Sequence, residues 1–196
     1  MPKTPLVAIV MAMEAEAAPL RGALGARPVE VPVWAAALPA RAARATWDGV
    51  DVVLVTNGVD PATGVDCIGS TSAAITTQVA LDICRVEAGR LPDLVLTVGT
   101  AGGWTRAGAS IGDVYLAWDR FVCHDRRIDL PGFDRFGRAD LDAADLRAHA
   151  EPLGCRLGVV TTGDSLDESP EDAERILASG AEVKEAEAGE TADDRE

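Results

Sequence analysis

The sequence has few of the residue types that metal and nucleic-acid sites require. Of its 196 residues only two are histidines, and its four cysteines are widely spaced with no CxxC pair. Zinc sites need a close set of such ligands. The net charge is −14, and no run of Lys or Arg is present that could neutralise consecutive phosphates. We therefore expect neither a metal nor a nucleic acid to bind this chain.

Long apolar runs are also missing, and none approaches the roughly 18 residues that a membrane span needs. Aromatic residues make up only 4% of the chain, whereas 47% is hydrophobic, so a core of small aliphatic side chains is expected. The N-terminal segment MPKTPLVAIVMAM is followed at once by Glu14 and Glu16. This pattern predicts a buried first strand and not a signal peptide, and the separated thiols favour a reducing compartment such as the cytoplasm.

Apolar runs alternate with segments that have helical spacing. This alternation predicts an α/β domain with a mostly parallel sheet, in which ligands bind beyond the carboxyl ends of the strands. We assign one domain to residues 1–189 and an acidic tail to 190–196; residues 164–196 carry 13 acidic and 3 basic residues. Residues 181–189 fit a last strand or the start of a helix. The predicted strands lie in 6–13, 50–58, 92–103, 111–123 and 157–165, and the predicted helices in 14–24, 72–84 and 169–180.

Several segments that follow these strands could form a site. Glu14 and Glu16 follow the first strand, although acidic residues are also common in a first helical turn, where the helix dipole favours them. The glycines of VGTAGGW (98–104) would let a ligand approach the backbone, or could simply form a tight turn. This segment is neither a GxGxxG motif nor a P-loop. His124 and Asp125 could be a catalytic pair or part of a polar loop.

Six motifs in order carry a family resemblance: AIVMAMEAEAAPL, PDLVLTVGTAGG, IGDVYL, HDRRID, TTGDSLD and VKEAEAG. Together, over residues 6 to 189, they resemble the methylthioadenosine nucleosidases, plant-type branch, of the nucleoside phosphorylase superfamily. The resemblance implies a three-layer α/β/α fold around a central, mostly parallel mixed sheet. It implies hydrolysis of the N-glycosidic bond of 5′-methylthioadenosine, or also of S-adenosylhomocysteine, in methionine salvage. It further implies a cytoplasmic homodimer without a cofactor.

The resemblance also assigns residues to the site. Glu16 corresponds to the carboxylate that activates water, and Glu187 to the carboxylate that holds the ribose hydroxyls. Such a division of labour suits a reaction with an oxocarbenium-like transition state. The substrate-binding positions that it implies are Met13, Thr100, Ala101, Gly102, Leu166, Asp167, Glu185 and Ala186.

The last residues depart from the family pattern. Ala186 stands where the family has a ribose-contacting Met. After Gly189 the sequence lacks the family's last strand, which carries the Asp that protonates adenine, and its final helix. We therefore expect a C-terminally truncated member with impaired turnover, because a general acid contributes roughly 10²–10⁴-fold.

Two alternatives stay open. A phosphate-dependent purine nucleoside phosphorylase would need cationic phosphate contacts, and neither VTNGVDPATG nor VGTAGGW supplies Arg or Lys. A degenerate, non-catalytic nucleoside-binding protein would agree with the departures at the C-terminus.

Overall fold

The computed structural model describes residues 3–124, 130–164 and 169–185, apart from the side chains of 124, 134 and 135. The chain divides into two compact units, Met1–Gly99 and Thr100–Glu196. The prediction of one domain over residues 1–189 therefore stays a prediction. Within the described ranges, no helix combines the length and the hydropathy that crossing a bilayer demands.

The first unit contains the elements β1 Leu6–Met11, α1 Glu14–Leu24, β2 Arg27–Val29, β3 Arg41–Trp47, β4 Val50–Thr56, α2 Ser70–Ala88 and β5 Leu94–Thr97. Its five-stranded sheet has the order β2-β3-β4-β1-β5. Strand β1 is parallel to both of its neighbours, β4 and β5, while β3 is antiparallel to β2 and β4. The carboxyl ends of the adjacent strands β4, β1 and β5 therefore lie at one edge of this sheet.

The first strand is buried on both faces, as its continuous apolar sequence predicts. Alternate residues point to opposite sides of a sheet. Leu6, Ala8 and Val10 pack in one cluster with residues of α2, while Ile9 and Met11 pack in a second cluster with Ala17 of α1. Each large aliphatic side chain buried in this way contributes about 1.5–3 kcal/mol. Burial on both faces therefore holds β1 inside the sheet, between β4 and β5, and fixes where α1 begins.

The second unit contains the elements β6 Ala101–Gly103, β7 Tyr115–His124, β8 Arg138–Asp142, α3 Arg147–Leu153, β9 Arg156–Thr162, α4 Pro170–Ser179 and β10 Val183–Glu185. Its five-stranded sheet has the order β6-β10-β9-β7-β8. Strand β9 is parallel to β7 and β10, and the two outer pairs are antiparallel. Of the segment 181–189, for which a strand and a helix were both open, Val183–Glu185 form strand β10, and residues 186–189 lie outside the described part of the chain.

The predicted α/β class with mixed sheets and flanking helices is confirmed. The antiparallel share is larger than the sequence led us to expect, since four of the eight strand pairs within the described ranges are antiparallel. The additional strands β2, β3 and β8 are polar edge or near-edge strands without an apolar run. Helix α4 begins as predicted: Ser169 is its N-cap, Pro170 follows, and Ser169 forms a reciprocal capping box with Asp172.

Candidate functional site

The candidate site in the first unit lies where the carboxyl ends of β4, β1 and β5 meet. Met13 is the N-cap of α1 and has an extended backbone with φ −108° and ψ 144°, but its side chain makes no capping hydrogen bond. The first free N–H of the helix, that of Glu14, instead donates to Asp66 Oδ1 at 3.0 Å. A carboxylate from the loop after β4 therefore caps the helix and also complements its dipole.

Glu14 is held on the β4 side of this edge. The hydroxyl of Thr56, the last residue of β4, donates to Glu14 Oε1. Arg21 Nη2 donates to Glu14 Oε2 at 2.9 Å, and Arg41 Nη1 lies 3.9 Å from the same oxygen. Burial raises the pKa of Glu14, but the hydrogen bonds from Thr56 and Arg21 and the charges of Arg21 and Arg41 outweigh it. The pKa is therefore below the ordinary value of 4.5, and the group is ionised at neutral pH.

Glu16 lies on the β5 side of the same edge. Its side chain is half-buried, and both carboxylate oxygens would lie 3.6 Å from a Cβ placed on Gly99. Gly99 follows β5 by two residues, so the Glu16 carboxylate lies close to the backbone at the end of that strand. A carboxylate in this position can accept a proton from a water molecule. The predicted first-turn location of Glu14 and Glu16 is confirmed.

An unusual amide marks the end of β4. Asn57 is only 3% exposed, and neither Nδ2 nor Oδ1 has a hydrogen-bond partner within the described structure. Its backbone N–H donates to Met11 O at 3.3 Å, which places it beside the end of β1. Buried polar groups are nearly always paired, so an amide without a partner is unusual. Asn57 therefore has unused hydrogen-bonding capacity beside Thr56, the residue that binds Glu14.

Four of the predicted substrate-binding residues of the second unit lie at one end of its sheet. Ala101 lies opposite Glu185 and Gly102 opposite Lys184, because β6 and β10 run antiparallel. Glu185 also pairs with Thr162, the last residue of β9. Thr100 directly precedes β6. The structure thus brings Thr100, Ala101, Gly102 and Glu185 to the edge at which β9 and β10 end.

The remaining predicted site residues lie outside the described part of the chain. They are the predicted catalytic Glu187, the predicted substrate-binding Leu166, Asp167 and Ala186, and the acidic tail 190–196. His124 ends β7, and neither its side chain nor Asp125 is described. Among the described residues, no group of three or more His, Cys, Asp or Glu side chains is arranged to hold a metal ion.

Sequence reasoning missed the partners of Glu14, and one signal could have found some of them. Asp48 and Gly49 both have positive φ, 50° and 78°, and they join β3 to β4 as a two-residue hairpin. An Asp-Gly pair between two extended segments is a strong hairpin signal. The register that follows pairs Trp47 with Val50 and therefore Arg41 with Thr56. This hairpin places both residues beside the start of α1.

The chain is similar in sequence to two curated plant proteins. Over 181 residues the chain is 34% identical to a 5′-methylthioadenosine nucleosidase of Arabidopsis thaliana, covering 92% of this chain and 65% of that protein. It is 35% identical over 138 residues to a 5′-methylthioadenosine/S-adenosylhomocysteine nucleosidase of the same plant, covering 70% of this chain and 52% of that protein. The chain therefore spans less than two thirds of the length of both curated relatives.

The structure of the chain is similar to solved structures of two enzymes. The apo structure of Arabidopsis thaliana 5′-methylthioadenosine nucleosidase has a TM-score of 0.81 and 32% identity, covering 93% of this chain and 72% of that one. A futalosine hydrolase of Helicobacter pylori, at 21% identity and a TM-score of 0.66, covering 94% of this chain and 76% of that one, shares the fold. The family profile described as the phosphorylase superfamily matches residues 6–188. With this match over most of its length, the chain belongs to the phosphorylase superfamily.

Proposed function

We propose that this protein hydrolyses the N-glycosidic bond of 5′-methylthioadenosine, with S-adenosylhomocysteine as a second candidate substrate, and so serves methionine salvage. The observation that carries the proposal is the placement of Glu16. Its carboxylate lies at the carboxyl edge of a parallel set of strands, against Gly99. This edge is where ligands bind in open α/β sheets. The two Arabidopsis thaliana relatives described above are named as nucleosidases of 5′-methylthioadenosine, one of them also of S-adenosylhomocysteine.

Glu16 would act as the general base. Cleavage of a glycosidic bond passes through an oxocarbenium-like state, and a carboxylate on one face of the sugar can activate the attacking water. The half-buried position of Glu16 restricts its orientation. Glu187 remains the proposed ribose-binding carboxylate, and Met13, Thr100, Ala101, Gly102, Leu166, Asp167, Glu185 and Ala186 remain the proposed substrate contacts.

Adenine release from 5′-methylthioadenosine by the purified chain, without phosphate, tests this proposal. Glu16→Gln keeps the shape of the side chain and removes its basicity, so we expect a loss of roughly 10²–10⁴-fold in kcat. The matched control is Glu87→Gln, since Glu87 pairs with Arg44 at 2.5 Å in the same unit. The control should retain the wild-type rate.

Three other outcomes would contradict the proposed reaction or the proposed role of Glu16. Release that depends on phosphate would indicate a phosphorylase, and tight nucleoside binding without release would indicate a non-catalytic binding protein. A Glu16→Gln variant with the wild-type rate would remove Glu16 from the mechanism while leaving the activity in place.

We also propose that the protein is a homodimer and acts in the cytoplasm. The support for a dimer is a group of exposed apolar side chains at 65, 68 and 75, in the loop before α2 and in its first turns: Val65, Ile68 and Ile75. The support for a reducing compartment is that all four cysteines are free thiols. Sedimentation equilibrium tests the first point, and a monomer at high concentration would contradict it. Fractionation of cells that express the protein tests the second.

A further inference from the structure

We infer that Glu14 is a positioning residue: it fixes the rotation of helix α1 about its axis and thereby the direction in which the Glu16 carboxylate points. The inference rests on the proposed function of Glu16. The motivating observation is that Glu14 and Glu16 lie in the same helical turn and are held at opposite flanks of β1, at the ends of β4 and β5 respectively.

Helix geometry links the two side chains. An α-helix turns about 100° per residue, so side chains two positions apart point roughly 200° away from each other. If Glu14 is anchored to Thr56 on the β4 side, Glu16 must point towards β5. Thr56 is only 1% exposed and sits in the sheet, so it offers a rigid anchor.

A second contact fixes the start of the helix along its axis. Met13 provides no side-chain cap, and the N–H of Glu14 is bound by Asp66 Oδ1. Residue 14 is therefore held by its backbone and by its side chain. Arg21 lies two turns further along α1 and reaches back to Glu14, so this interaction stiffens the segment that carries Glu16.

The groups around Glu14 favour its ionised form, and each of its two carboxylate oxygens has a partner within the protein. The groups that face Glu14 are Thr56 from β4, Arg21 from α1 itself, Arg41 from β3, and Asp66 at its backbone. Two cations and one hydroxyl occupy its oxygens, so Glu14 is committed to these partners. A purely stabilising role would leave turnover by the folded enzyme unchanged, and this difference can be tested.

The test compares three variants with the wild type in the adenine-release assay. In Glu14→Ala the anchor is lost, and we expect kcat to fall roughly 10²-fold with a much smaller change in KM, as expected of a misplaced catalytic group. Thr56→Val keeps the shape of Thr56 and removes the donor, so it should lower kcat in the same direction. Glu14→Gln keeps an acceptor for Thr56 and should recover most of the lost rate.

The control is Glu87→Ala, which removes another Glu–Arg pair of the first unit. Glu87 contacts Arg44, which lies near Asp51 at the amino end of β4, away from the candidate site. It should leave kcat and KM at their wild-type values. The double variant Glu14→Ala with Thr56→Val should lose no more than Glu14→Ala alone, because both changes break the same contact.

Crystal structures of the wild type and of Glu14→Ala separate this inference from the proposed function. We expect the Glu16 carboxylate to leave its position against Gly99 in the variant. An unmoved carboxylate, or a folded Glu14→Ala enzyme with the wild-type kcat, would overturn the positioning role. A wild type that releases no adenine would overturn the proposed function, and the crystal structures would still decide whether Glu14 directs Glu16.

Discussion

Gly58→Ala gives the sharpest test of how the backbone shapes the candidate site. Gly58 follows β4 by two residues and has φ +78°, and a Cβ there would lie 1.7 Å from the carbonyl oxygen of Pro39. Non-bonded heavy atoms normally stay roughly 3.5 Å apart, so one of the two backbone segments must move. Movement is opposed because Gly58 O accepts from Cys67 N at 2.8 Å, and because β3 starts two residues after Pro39.

Two costs add in this variant. A non-glycine residue in the left-handed region costs about 1–2 kcal/mol, and overpacking against fixed neighbours costs about 1–3 kcal/mol more. Gly64→Ala is the matched control: Gly64 has φ +72°, and a Cβ there would have no heavy atom within 4 Å. It therefore reports the backbone strain without the clash.

Urea unfolding of the two variants measures the difference. We expect Gly64→Ala to lower the free energy of unfolding by about 1–2 kcal/mol and Gly58→Ala to lower it by at least about 1–3 kcal/mol more. Gly58→Ala should also slow adenine release, because the displaced strand β3 carries Arg41, which lies beside Glu14. Equal losses of stability in the two variants would refute the proposed contact between Gly58 and Pro39.

Two further predictions concern the polar groups at this edge. Asn57→Leu replaces a buried amide that has no partner in the described structure. The free energy of unfolding should stay level or rise, because removing an unsatisfied polar group relieves its desolvation cost. A clear fall would contradict this and would indicate that a buried water molecule pairs with the amide. The pKa of Glu14 is lowered in the folded state, so its stabilising contribution is complete above the ordinary value of 4.5 and is lost as the pH falls through the folded-state value. The difference in unfolding free energy between the wild type and Glu14→Gln should therefore shrink from pH ~6 towards pH ~3, and a constant difference would contradict this assignment.

Some elements could be predicted from sequence because their residues carry the necessary information locally. Strand β1 is a continuous apolar run and β4 contains one at residues 52–55, and such runs stay buried in almost any α/β arrangement. Helix α4 has its Ser169 cap, Pro170 at the first position and Gly180 at the end, and each of these acts within one turn. The location of Glu16 in the first turn of α1 follows from the position of β1 for the same reason.

Other elements depend on their neighbours. Strand β3 (RAARATW) has no apolar run and forms because β4 offers it a hydrogen-bonding edge through the Asp48-Gly49 turn. Strand β8 (RADLD) is mostly exposed and exists through its pairing with β7. The β-strand propensity of the residues is a weak guide for such segments, because strand pairing and burial decide whether they form strands.

For the candidate site, the sequence by itself determined which carboxylates stand at the end of the first strand. Only the tertiary structure decided that Glu14 points to Thr56 and Arg41 while Glu16 points to Gly99, since residues 14, 41, 56 and 99 are far apart along the chain. The physical reason is that a carboxylate takes its role from the hydrogen bonds, charges and solvent around it. Those surroundings form only when the strands align in the folded protein, so they cannot be read from the residue type alone.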